Sequence, residues 1–89
     1  MKKTIQLKGI DPMLFAGVDD NNMKAFEASF NSKIILRGDK LLLEGKKNEI
    51  VQLESLINDI IFTINKKGYL ETQDLQTLID SFSVLKIMV

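Results

Sequence analysis

The sequence predicts an α+β domain, a three-stranded antiparallel sheet with helices packed on one face. Three observations predict it. Two apolar runs flank Gly38-Asp39, a dipeptide suited to a two-residue turn because Gly supplies the positive φ such turns need. Residues Thr4-Ile5-Gln6-Leu7-Lys8 alternate strictly between polar and apolar, the period of a half-buried strand. Three further stretches repeat their apolar residues with the 3.6-residue period of a helix buried along one face.

The hairpin organises the rest. A turn at Gly38-Asp39 sets Arg37 opposite Lys40, Leu36 opposite Leu41, Ile35 opposite Leu42, Ile34 opposite Leu43 and Lys33 opposite Glu44. One face is then wholly aliphatic, made of Ile34, Leu36, Leu41 and Leu43. The other is wetter and carries Lys33 against Glu44, an opposite-charge pair worth a few tenths of a kcal/mol to this register. Residues 4 to 8 supply the third strand, since two strands alone are marginal in water.

Between these strands, Gly9 to Val18 reads as a connection. Asp11-Pro12 interrupts regular structure, and Met13, Leu14 and Phe15 are apolar enough to pack beneath the first helix. Asp19-Asp20 opens that helix as its cap, and Met23, Phe26 and Phe30 form its buried stripe. The longest helix covers roughly 47 to 66, with Asn48 as its cap. Its wide stripe holds Ile50, Leu53, Leu56, Ile57, Ile60, Ile61 and Ile64, with Val51 and Phe62 off it. Lys66-Lys67-Gly68 is its stop, with cations at the negative helix end and Gly free to take the left-handed cap. Thr72 caps a third helix carrying Leu75, Leu78, Ile79 and Phe82, and residues 84 to 89 read as a strand or linker. The expected core is Ile5, Leu7, Met23, Phe26, Phe30, Ile34, Leu36, Leu41, Leu43, Leu53, Ile57, Ile60, Leu75, Leu78 and Ile79.

Composition narrows the chemistry. The 89 residues make one domain, and 45% apolar with 27% charged residues is ordinary for a globular chain. Lys and Arg number 12, as do Asp and Glu, so the net charge is zero and strong salt-driven binding by the whole chain is disfavoured. With no Cys and no His, a disulfide framework, a Cys nucleophile, a Ser-His-Asp triad and the usual zinc sites are excluded. Met1-Lys2-Lys3 has no apolar run behind it, so it is not a signal peptide, and no stretch approaches the roughly 20 apolar residues of a membrane span. A cytoplasmic location is the expectation.

Few residues carry a specific chemical signal. Asp19 and Asp20 suit helix capping better than metal binding, since neighbouring carboxylates diverge and no third ligand is fixed. Arg37-Gly38-Asp39 matches an adhesion tripeptide, but the turn explains it. Gly38 to Gly45 has the wrong interval for a phosphate loop, and Lys47 stands where Ser or Thr belongs. Lys46-Lys47 and Lys66-Lys67 read as solvated helix-end charges. Lys33, Arg37 and Lys40 share the wetter hairpin face beside Ile35 and Leu42, which makes them the candidate nucleic-acid-binding residues. No residue is assigned a catalytic, cofactor-binding or metal-binding role.

The chain also resembles a known family. The residues that carry the likeness are Leu14-Phe15, Gly17, Asp20-Asn21-Asn22-Met23-Lys24, Glu27, the hairpin Ile34 to Gly45, and Leu70-Glu71-Thr72-Gln73-Asp74-Leu75. Over roughly residues 10 to 82 they are similar to the N-terminal domain of PhoH-like proteins. That resemblance implies a KH-like fold of order β-α-β-β-α-α over residues 1 to 83, with 84 to 89 leading to a P-loop ATPase domain. ATP and Mg would bind in that further domain and no cofactor in this one. The resemblance implies a non-catalytic accessory domain that binds or positions RNA, in a family linked to phosphate starvation. KH domains grip RNA through a Gly-x-x-Gly loop. The nearest segment, Gly17-Val18-Asp19-Asp20, puts Asp in place of the second Gly, and its carboxylates repel phosphate. RNA is therefore expected on the hairpin face. The alternative is a protein-interaction or homo-oligomerisation module using Ile35, Leu42, Val51, Phe62 and the apolar tail from Val84, with the ATPase domain as a further partner.

Overall fold

The computed structural model of the chain describes the backbone of residues 1–88 and the side chains of residues 1–81. Strand β1 (Lys2–Gln6) leads to a short helix α1 (Pro12–Ala16), a single 3-10 turn (Val18–Asp20) and helix α2 (Asn21–Ser29). Strands β2 (Lys33–Arg37) and β3 (Lys40–Glu44) follow, then α3 (Lys47–Lys67) and α4 (Thr72–Met88). The sheet is antiparallel throughout in the order β1-β3-β2. This is the expected α+β arrangement, with one short helix more than the expected order.

The hairpin register is the expected one, residue for residue. Gly38 has φ of 59°, and Asp39 is not among the left-handed residues, the pattern of a type II′ turn with Gly at its first central position. Parity then separates the two faces. Ile34, Leu41 and Leu43 are buried beneath the helices, while Ile35 and Leu42 are half-buried on the opposite side. On α3, Ile50, Leu53, Leu56, Ile57, Ile60 and Ile64 are buried, and Val51 and Phe62 are exposed. Each fully buried aliphatic side chain contributes about 1.5–3 kcal/mol, so this layer dominates the stability.

Strand β1 sits two residues earlier than the alternation suggested. Its partner sets this. β3 begins at Lys40, which pairs with Gln6, and ends at Glu44, which pairs with Lys2. Beyond that ladder, the Leu7 N–H donates to the Asp39 carbonyl at 2.8 Å, and Gly45 and Met1 exchange backbone bonds at the other end. Lys3 lies on the helix side of the sheet and reaches Glu54 of α3 at 3.1 Å.

The connection after β1 contains a helix where a break was expected. Asp11 caps it by accepting from the Met13 N–H at 2.9 Å, and Pro12 occupies the first turn, where its missing N–H costs nothing. Of the three apolar residues there, only Phe15 is buried. It stacks on Phe26 at 5.5 Å between ring centres, while Met13 and Leu14 face solvent. Asp19 and Asp20 do not cap α2 through their side chains; both adopt left-handed backbone, with φ of 54° and 58°. The corner is held instead by Asn22, which is buried and donates its side-chain amide to the Phe15 carbonyl at 3.1 Å. Gly17 makes room for it, because a Cβ there would stand 2.8 Å from the Asn22 side chain.

The other helix starts differ from expectation as well. Asn48 is the second residue of α3, not its cap; Lys46 precedes the helix and makes no side-chain cap bond. The Ser32 hydroxyl instead donates to the Glu49 carboxylate, and Gly45 lets Ser32 approach, since a Cβ at Gly45 would collide with its hydroxyl. Gly68 closes α3 in the left-handed conformation as expected, with its N–H on the Ile64 carbonyl at 2.7 Å. Thr72 is the first residue of α4, and Asp74 reaches back to the Glu71 N–H at 3.3 Å. Helical backbone continues to Met88 through the stretch expected as strand or linker. The Phe82 side chain and Val89 lie outside the described residues. Within the expected core, Ile5, Phe30, Leu36 and Leu78 are only half-buried, while Phe15, Ala16, Ile50, Leu56 and Ile64 join it.

Because Asn22 fills a buried polar site, Asn22→Ala leaves the Phe15 carbonyl without its partner. Urea denaturation is expected to show a loss of about 1–3 kcal/mol; an unchanged midpoint would mean the corner is held by other contacts.

Candidate nucleic-acid interface

The helix-free side of the sheet is a grid set by the register. One end carries Lys2, Glu44 and Lys33 side by side, the middle Thr4, Leu42 and Ile35, and the other end Gln6, Lys40 and Arg37. Open-face residues on one strand are two positions apart, so the charged rows stand about 13 Å apart with an apolar row between them. All four cations are exposed. A shallow groove of 220 Å³ lies over the first two rows, lined by Lys2, Thr4, Lys33, Ile35, Leu42 and Glu44 among others.

Four strand cations therefore share this face with Glu44 and with the turn residue Asp39, whose carboxylate accepts from the Gln6 side-chain amide at 3.2 Å, although the chain as a whole is neutral. Lys33 and Glu44 are opposite one another as expected, but they do not close to ion-pair distance. Among the described residues the ion pairs are Lys3–Glu54 and Lys67–Asp74, neither of them on this face. Arg37 and Lys40 are directly opposite, a like-charge juxtaposition that costs a few tenths of a kcal/mol up to about 1. The buried aliphatic row beneath outweighs that cost, so the register survives it. The three candidate residues Lys33, Arg37 and Lys40 are thus on one face together. Lys2 joins them, a residue that a strand starting at Thr4 does not include. Its parity with Thr4 and Gln6 was the available signal.

Other charged segments are arranged differently. In the Gly17–Asp20 loop, the Asp20 N–H donates to the Gly17 carbonyl and the Asn21 N–H to the Val18 carbonyl, so these amides are already used. The exposed Asp19 and Asp20 add two negative charges beside them. Lys67 donates to Asp74 at 2.8 Å, and that bond holds the Lys67 ammonium pKa above its ordinary value and the Asp74 carboxyl below its own. Lys66 stands 6.0 Å from the Phe62 ring centre and Lys67 5.5 Å from that of Tyr69. Among the described residues no group of three His, Cys, Asp or Glu side chains is placed to hold a metal ion. Nor is any helix among them long and apolar enough to cross a membrane.

Compared with known proteins, the chain matches no family model, no curated protein and no solved structure.

The opposed cations make a stability test. Arg37→Glu exchanges a like-charge pair for an opposite-charge pair with Lys40, and is expected to raise stability by about 0.2–1 kcal/mol at low salt. A lower urea midpoint would show that Arg37 already makes a stabilising contact.

Proposed function

We propose that this chain is a non-catalytic module that binds or positions single-stranded RNA across its open sheet face, in the manner expected of an accessory N-terminal domain of a PhoH-like ATPase. The observation that carries the reading is the convergence of Lys2, Lys33, Lys40 and Arg37 on one face of a neutral chain without an ion-pair partner among the described residues. Keeping Arg37 and Lys40 opposed works against stability, so a ligand that neutralises both gives a reason for the pair. The apolar row of Leu42 and Ile35 offers bases a surface between two bands of phosphate contacts. No aromatic side chain is present on the grid, so contact through the backbone, with little preference among bases, is the mode this surface suits. The resemblance to PhoH-like N-terminal domains supports the same reading from sequence, and in that setting ATP hydrolysis belongs to a separate domain.

Fluorescence anisotropy with a labelled oligouridylate checks the proposal. Binding is expected at low salt, with log K falling against log salt at a slope of roughly −2 to −3 for three or four neutralised phosphates. Arg37→Ala and Lys40→Ala should each weaken binding and make the slope shallower by about 0.7. A folded chain with no affinity at low salt would remove the RNA reading. If sedimentation of that chain also found a dimer, the protein-interaction reading, with Val51 and Phe62 exposed on α3, would replace it.

A further inference from the structure

A second feature lies beside the open face, at the outer edge of β2. The backbone bonds from Leu7 to Asp39 and between Gly45 and Met1 set the phase of the β1–β3 ladder. The odd-numbered residues of β3 bond to β1, so Lys40, Leu42 and Glu44 bond to β2 through their partners Arg37, Ile35 and Lys33. The N–H and C=O groups of Ile34 and Leu36 therefore point away from the sheet, at an edge where no strand neighbours β2 among the described residues. Next to that edge, between α2 and β2, runs a groove of 330 Å³ lined by Asp20, Met23, Lys24, Glu27, Ile34 and Leu36. It has an apolar floor, a rim of Asp20 and Glu27 with Lys24, and a row of backbone groups that are unbonded among the described residues.

We infer that the β2 edge accepts an extended peptide as a fourth strand, and that the peptide it fits alternates acidic, any, apolar, any, acidic residues. This goes beyond the RNA reading and does not rest on it. The backbone of the added strand would bond to Ile34 and Leu36. Its outward side chains would stand opposite Lys33, Ile35 and Arg37 in the non-hydrogen-bonded positions, where side chains come closest. Two acidic residues flanking one aliphatic residue complement that row in charge and in polarity. The inward residues would lie over Met23, Ile34 and Leu36, an apolar surface.

The same charges disfavour the other occupants. Antiparallel pairing of β2 with a second copy, centred on Ile35, would set Lys33 against the other copy's Arg37 at both ends, two like-charge pairs of the kind that protect natural sheet edges. A phosphate chain in the groove would meet Asp20 and Glu27 against a single cation, Lys24. A strand with outward acids meets neither penalty.

The test uses the full chain and a fluorescein-labelled peptide with a glutamate-threonine-valine-threonine-glutamate core. Amide shifts on titration should centre on Ile34 and Leu36. Methylating the backbone nitrogens that face the edge should abolish binding, a change that cannot disturb the protein's own folding. Arg37→Glu should weaken the glutamate peptide about fivefold, the loss of one exposed ion pair, and strengthen a peptide with lysine in the acidic positions. Equal binding of a scrambled peptide of the same composition would overturn the inference. So would equal binding of the methylated peptide, or Ile34 and Leu36 shifts produced by oligouridylate or by self-association and not by the peptide.

Discussion

Everything on the surface follows from where the aliphatic row of the hairpin is buried. Ile34, Leu41 and Leu43 are buried in the core beneath the helices, and a strand has a period of two. Their neighbours must then face outward together. Lys33, Arg37, Lys40 and Glu44 have no independent choice of side. A slip of one residue would bury those charges and expose the aliphatics, at a cost of several kcal/mol set by the burial of large side chains. A few tenths lost between Arg37 and Lys40 cannot compete with that. The basic face is fixed by the core beneath it, which gives its cations a spacing that solvated surface lysines on a loop would lack.

The region around Gly17 follows from a different constraint. Asn22 is buried and must spend its amide on the Phe15 carbonyl, and Gly17 must be small to admit it. The chain then turns through two left-handed aspartates before α2 begins. Such residues cost of order 1 kcal/mol or more each, so the packing of Phe15 on Phe26 and the Asn22 bond hold them there. The result is a corner in which the Gly17, Asp20 and Asn21 N–H groups are internally bonded and the side chains of Asp19 and Asp20 are negative. It joins α1 to α2, and its negative charge is unfavourable to phosphate.

The hairpin was legible because every local signal agreed: turn dipeptide, alternation and charge placement all named one register. The stripes of α2 and α3 and the Gly68 stop were legible for the same reason. What could not be read were features decided by a distant partner. β1 begins at Lys2 because β3 ends at Glu44, which the alternation at Ile5 and Leu7 does not encode. Asp11-Pro12 signals a boundary equally well as a break or a helix start, and only the burial of Phe15 selects the helix. Asp19, Asn48 and Thr72 looked like caps by residue type, but the helix ends are tied down by Asn22, Ser32 with Glu49, and Asp74, side chains whose partners lie elsewhere in the sequence or on the other side of a turn. Of the interface, Lys33, Arg37 and Lys40 came with the hairpin, and Lys2 was lost with the strand start.

The most direct measurement is a two-dimensional amide NMR titration of the isotope-labelled chain with oligouridylate at low salt. Expected are shifts clustered on Lys33, Ile35, Arg37, Lys40 and Leu42, with Lys2 and Thr4 joining them and the α3 core unmoved. Shifts confined to the Gly17–Asp20 loop or to the start of α3, with the open face silent, would contradict the claim that parity in the hairpin builds the binding surface.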